Sequence, residues 1–170
     1  MNHDNEKELL PVVDEHGTTL GSITRKEAHN KTFVLHPVVH LHVFNSAGEL
    51  FLQKRPEWKD VQPGKWDTSV GGHVEYGETV AGALTREASE ELGLDEFVPE
   101  FIGSYIFKSE VEQELIHAYK IAFDGRVKPN KTELAEGRFW SLGEIRESIG
   151  KGIFTPNFES EFKRFFSCKP

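Results

Sequence analysis

Residues 86–92 place three glutamates at helical spacing in a chain that gives them no evident structural use. Glu87, Glu90 and Glu91 fall three and four residues apart, with Glu87 the shared neighbour. On a helix such residues share a face, and like charges there cost roughly 0.2–0.5 kcal/mol per pair. Glu90 and Glu91 also lie in the last turn before Gly93, where carboxylates oppose the helix dipole at roughly 0.3–1 kcal/mol each. A bound cation reverses the sign of both effects. A glutamate-rich helix is usually a solvated surface, but these acids sit at the wrong helix end and follow a glycine-bearing loop, residues 71–77. Such a loop lets backbone approach a phosphate closely. Hard oxygen ligands at this density suit Mg2+ or Mn2+ better than zinc.

The same segment carries a fixed pattern: Gly72, Glu78, Arg86, Glu87, Ala88, Glu90, Glu91, Gly93 and Leu94. It resembles the box of the Nudix hydrolase family, G-x5-E-x7-R-E-U-x-E-E-x-G-U with U apolar, and only Ala88 is small for its apolar position. The resemblance implies a Nudix-type α/β/α sandwich with a mixed sheet. It implies metal held by Glu87, Glu90 and Glu91, and a box glutamate oriented by Arg86. It also implies a loop supported by Glu78 and a further ligand from the Gly71 carbonyl. The implied reaction is hydrolysis of a diphosphate linkage in a small molecule, such as a nucleoside diphosphate derivative. The general base in this family is a box glutamate or a carboxylate from a later loop. Glu112, Glu114 and Glu136 are candidates for the latter, with Glu114 the expected catalytic one.

Outside the box the chain resembles isopentenyl diphosphate isomerases, which share the Nudix fold. The matching residues are Val13-Asp14-Glu15-His16-Gly17, Gly21-Ser22-Ile23-Thr24-Arg25, His29 with His36, Trp66-Asp67-Thr68-Ser69-Val70 followed by Gly72-His73, and Glu112-Gln113-Glu114. This resemblance implies a metal site from His29, His36, His73, Glu112 and Glu114, and an aromatic residue, Trp140, over the substrate. One departure is chemical. The isomerases carry a cysteine where this chain has Gly71, and glycine can neither give nor take a proton. Cys168, near the chain end, is a poor replacement. The expectation is an isomerase-like scaffold that hydrolyses. Isomerisation by an altered mechanism and a non-catalytic nucleotide-binding module are the alternatives.

Basic and aromatic residues outside these motifs supply candidate substrate contacts. Arg25, Lys54, Arg55, Lys59 and Lys65 lie in or beside loops expected to face the box, and arginine pairs with phosphate bidentately. Arg25, Lys54, Arg55 and Trp140 are the substrate-binding candidates. Trp66 reads as core. His3, His16 and His117 read as ordinary polar residues, while His40 and His42 share a strand face that points to solvent or lines the cleft.

The elements that must position these residues form one α+β domain over 9–170, with 1–8 as a flexible tail. Leu9 to Val13 and residues 18–23 read as a hairpin, and Thr24 as the cap of a short helix ending near His29. Residues 38–44 alternate as a strand, with Val39, Leu41 and Val43 on one face. Residues 50–54 return as its hairpin partner, 58–65 form a loop, and 66–70 form a strand ended by Gly71-Gly72. The box helix spans 79–92 before Gly93. Residues 97–107, 115–123 and 138–140 read as strands. Ser141-Leu142-Gly143-Glu144 is a capping box, and Thr155-Pro156 opens a last helix. In that helix Phe158, Phe162, Phe165 and Phe166 form an apolar stripe that reads as core. Loops 57–64 and 125–136 are where specificity would lie.

Composition bounds the function. The chain has 170 residues, 37% hydrophobic and 28% charged, ordinary for a globular domain. A net charge of -8 argues against a nucleic-acid polymer as partner, since that needs a basic face. No apolar run is long enough for a membrane span, and the polar start is unlike a secretory signal. A single cysteine fits a reducing cytoplasm. A monomer and a homodimer are both compatible with this size.

Overall fold

The computed structural model describes residues 5–59 and 61–167. A first hairpin pairs β1 (Leu9–Val13) with β2 (Thr19–Thr24). Thr24 then caps α1 (Arg25–Ala28) through a reciprocal bond with Glu27, and His29 ends that helix. Glu8 and Glu6 pair with Arg25 and Lys26 at 3.3 and 3.2 Å.

The main sheet is mixed. Its path runs β5 (Trp66–Asp67), β4 (Leu50–Lys54), β3 (Leu35–Phe44), β8 (Gln113–Ala122) and β7 (Glu100–Lys108). β6 (Val70–His73) also pairs with β3, and β9 (Glu136–Trp140) with β4. β3 and β8 are parallel over ten registered pairs, Leu35 to Phe44 against Gln113 to Ala122. The box helix α2 (Val80–Leu92) covers one face, meeting Val39, Leu41 and Val43. On the other face α3 (Leu142–Ser148) and α4 (Pro156–Phe165) pack Ile145, Phe158 and Phe162 against Leu50, Leu52 and Trp140. The α/β/α sandwich expected from the resemblance is therefore present.

Two expectations are corrected. β4 is scarcely the hairpin partner of β3, since the two share only the Phe44–Leu50 pair. The strands splay, and the chain between 66 and 73 fills the gap. β5 pairs with β4, then Thr68 and Ser69 cross over, and β6 pairs with β3. The Ser69 hydroxyl stitches the crossing by accepting from Val43 N at 2.9 Å and donating to the Phe51 carbonyl. Gly71 and Gly72 consequently lie inside β6 and do not end a strand, because ladder bonds are made by main chain and need no side chain. β3 also begins earlier than the alternation indicated, which brings His36 into the sheet. Among the described residues no helix is long and apolar enough to cross a membrane.

Candidate active site

The box is organised by Arg86. Its guanidinium donates to both Glu78 oxygens at 2.9 and 3.0 Å, to Glu87 Oε1 at 2.8 Å and to the His73 carbonyl at 3.0 Å. This fork ties the loop to the helix with the fixed geometry that a lysine lacks. The helix is framed by the Thr79 cap, which accepts from Gly82 N, and by Gly93 at φ 65°. Gly72 faces Glu87 so closely that a side-chain carbon on it would lie 2.1 Å from the Glu87 carboxyl carbon. Only glycine admits that carboxylate to the cleft.

Glu87 and Glu91 line the cleft, together with Gly71 and Gly72. Glu91 accepts from Gln53 Nε2 at 3.0 Å and from Gly71 N at 3.3 Å. Burial pushes Glu87 up to about 7 against the pull of Arg86. Burial, then the Glu87 charge, raises Glu91 well above the carboxylate range. Two half-buried acids that repel in this way fit a divalent cation, whose charge would offset both effects. Glu90 is not brought into this pair: its side chain is 59% exposed and lies 3.5 Å from Arg86.

His29, His73 and Glu112 line another part of the cleft and converge with the fully buried His36, with one potential ligand atom each and all four within 4.8 Å of one another. His29 Nε2 stands 3.1 Å from His73 Nε2 and 3.0 Å from Glu112 Oε2. His36 Nε2 and Glu112 Oε2 are buried and lack a well-formed hydrogen bond, which is the condition a metal would relieve. Burial, and then the Arg25 charge, hold His73 well below the ordinary imidazole value. Neutral imidazole is the form that ligates a metal. Three nitrogens with one carboxylate suit a transition ion better than magnesium. Glu114, the fifth residue of the expected set, is buried nearby and accepts from Asn157 Nδ2 at 3.2 Å. Burial and the Glu112 charge push it up to about 7.

The remaining candidates divide. Arg25 and Arg55 line the cleft, as does Lys59, and Arg55 lies 3.6 Å from Asp67. Lys54 is not among the cleft-lining residues: it pairs with Trp66 and Glu136 in the sheet. Glu136 shares that position on β9 and is likewise outside the cleft. Trp140 is a correction. It is 6% exposed within the apolar cluster of α3 and α4, edge-on to Trp66 and Phe154, with the Arg138 guanidinium 3.6 Å from its ring. Its alternation on β9 turns it to the core side, so it cannot cover a substrate. Cys168 lies outside the described residues.

Of the two outcomes expected for His40 and His42, His40 lines the cleft, whereas His42 is fully buried and does neither. Both bond to Glu161 of α4, His40 Nδ1 at 2.7 Å and His42 Nε2 at 2.6 Å. Although burial opposes it, Glu161 carries His40 up to about 9. The two histidines in return hold Glu161 far below the carboxylate range against its burial. The sequence reading missed Glu161, Gln53, Asp67 and Asn157. One signal existed for Glu161: an acid three residues after Phe158, inside an apolar stripe. The whole cleft encloses about 1190 Å3, ample for a nucleotide-sized ligand.

Residues 34–158 match the NUDIX domain family, and the chain belongs to that family. Its box, cleft and relatives make it a Nudix hydrolase. It is 34% identical to an uncharacterized Nudix hydrolase of Pseudomonas aeruginosa over 79% of each chain. It is 29% identical to isopentenyl-diphosphate Delta-isomerase 1 of Photorhabdus laumondii over 91% of this chain and 93% of the relative. A crystal structure of a Deinococcus radiodurans protein superposes with TM-score 0.81 at 26% identity, covering 94% of this chain and 99% of that one.

Proposed function

We propose that the protein hydrolyses a diphosphate linkage in a nucleoside diphosphate derivative or similar small molecule, with Mg2+ or Mn2+ as cofactor. The observation that carries this reading is the half-buried pair Glu87 and Glu91 facing an open cleft across Gly71 and Gly72. Glu87 and Glu91 would hold the box ion, with Glu90 at the rim, and His29, His36, His73 and Glu112 a second one. A divalent ion bound there neutralises diphosphate charge and lowers the pKa of an attacking water. The protein's own groups do the rest. Arg86 fixes Glu87, and Gln53 fixes Glu91. Arg25 and Arg55 orient phosphate oxygens at the cleft wall. Glu114, held by Asn157, accepts the proton of the incoming water.

Isomerisation is the second reading, favoured by the histidine cluster and by the isomerase-named relatives. Against it, Gly71 supplies no proton. Purified protein is incubated with Mg2+ and with Mn2+ against nucleoside di- and triphosphates, sugar nucleotides, dinucleoside polyphosphates and isopentenyl diphosphate, and products are identified by mass spectrometry. Cleavage supports hydrolysis. Dimethylallyl diphosphate without cleavage supports isomerisation, and tight nucleotide binding without turnover supports a sensor.

A further inference from the structure

The mechanism above makes no use of the buried carboxylate of α4. Glu161 is fully buried on a helix face otherwise made of phenylalanines. An ionised carboxylate is unfavourable in such a place unless it is paired and hydrogen-bonded, and leucine would serve packing equally well. Glu161 is paired three times: Oε1 accepts from His42, and Oε2 accepts from His40 and from the Tyr105 hydroxyl.

The three partners are not equivalent. His42 is fully buried, with Nδ1 3.2 Å from the Thr68 hydroxyl. Tyr105 lies under the Arg164 guanidinium, 4.4 Å from its ring. Of the three, only His40 lines the cleft. Its Cδ2 and Nε2 form the edge turned toward Gly71, where a side-chain carbon would approach them to 3.3 and 3.5 Å. The N–H of the same glycine donates to Glu91. One residue without a side chain therefore separates the His40 edge from the box carboxylate, and the otherwise buried ring meets the cleft there. Asp67, Glu91 and Glu114 share the cleft, so an anionic substrate entering there needs a donor beside these acids.

We propose that His40 binds substrate, donating from Nε2 to a non-bridging oxygen of the phosphate beside Glu91, and that Glu161 is the positioning residue that fixes its ring. A carboxylate only accepts, so Nδ1 must carry a proton. The 2.7 Å contact of Nδ1 with the Glu161 carboxylate has the geometry of an ion pair, and in an ion-paired imidazolium both nitrogens donate. The inference rests on the diphosphate reading above, and binding of an uncleavable analogue distinguishes its failure from the failure of that reading.

The test is calorimetric binding of methylenediphosphonate, whose bridge resists hydrolysis, with Mn2+ present. Wild type is compared with His40→Phe, His40→Gln and Glu161→Gln, each with a thermal melt. His40→Phe should weaken binding by about tenfold or more, the size of one charged hydrogen bond. His40→Gln, which keeps an N–H donor, should recover part of the loss. Glu161→Gln should weaken binding while its melt stays cooperative, and in turnover it should raise KM more than it lowers kcat. His40→Gln carries the comparison if the phenylalanine variant does not fold. Unchanged binding in the folded His40 variants overturns the proposal, as does a wild-type protein that does not bind the analogue. Binding that depends on His40 without cleavage of any diphosphate keeps this inference and removes the hydrolytic reading. Cleavage with binding independent of His40 does the reverse.

Discussion

Gly72 and Glu87 compete for one volume: a methyl group on the glycine would sit on the Glu87 carboxyl group. The glutamate end is flexible and can swing away, whereas the β6 backbone is held by its ladder to β3. Gly72→Ala should therefore cost little stability but lower turnover roughly 10–100-fold, as loss of a supporting contact at a metal site does. Melting temperature and kcat/KM measured on the same preparation check this.

Arg86 makes its bonds to Glu78, Glu87 and the His73 carbonyl through one planar fork. Lysine keeps the charge but cannot span these acceptors. Arg86→Lys should weaken Mn2+ binding by roughly 10–100-fold, read by calorimetry. Wild-type affinity in the variant would mean that the fork does not position Glu87.

His36 is fully buried with Nε2 turned to the other cluster members. His36→Asn should lower the amount of Mn2+ or Zn2+ retained after dialysis, measured by elemental analysis, while ions at Glu87 and Glu91 persist. Equal metal content in the two proteins would leave the cluster as a buried polar network only.

The His40–Glu161 pair gives stability a defined pH window. Glu161 is depressed from its ordinary 4.5, so its contribution is present above that value and fades as pH falls further. His40 is raised from 6.5 to about 9, so its contribution is full below 6.5 and is lost as pH climbs through about 9. Chemical denaturation should show this part of stability greatest between those ordinary values and declining toward alkaline pH. In Glu161→Gln the alkaline decline attributable to this pair should flatten. An unaltered profile would contradict the pairing.

The sequence made some of this legible because some signals are local. Thr79 and Gly93 mark the ends of α2 by backbone chemistry alone, and helical spacing brings Glu87 and Glu91 to one face. Other features depend on distant partners. Glycines inside β6 look like a strand end until β3 is alongside. Trp140 faces the core because β9 pairs with β4 in a particular register, and a one-residue change of register would reverse it. Lys54 misses the cleft for the same reason. Glu161 stands 121 and 119 positions from its histidine partners, so no local pattern announces their contact. Glu90 matches the box as well as Glu91 does, yet the helix turns it outward to Arg86.

The most direct test is Glu91→Gln. Gln53 and Gly71 donate to Glu91, and glutamine preserves the shape and an acceptor while removing the charge. The diphosphate panel is run with Mg2+ and Mn2+ on wild type and variant, with a melt for each. The account predicts a folded variant that has lost cleavage by orders of magnitude. A folded Glu91→Gln protein that cleaves at the wild-type rate would contradict it.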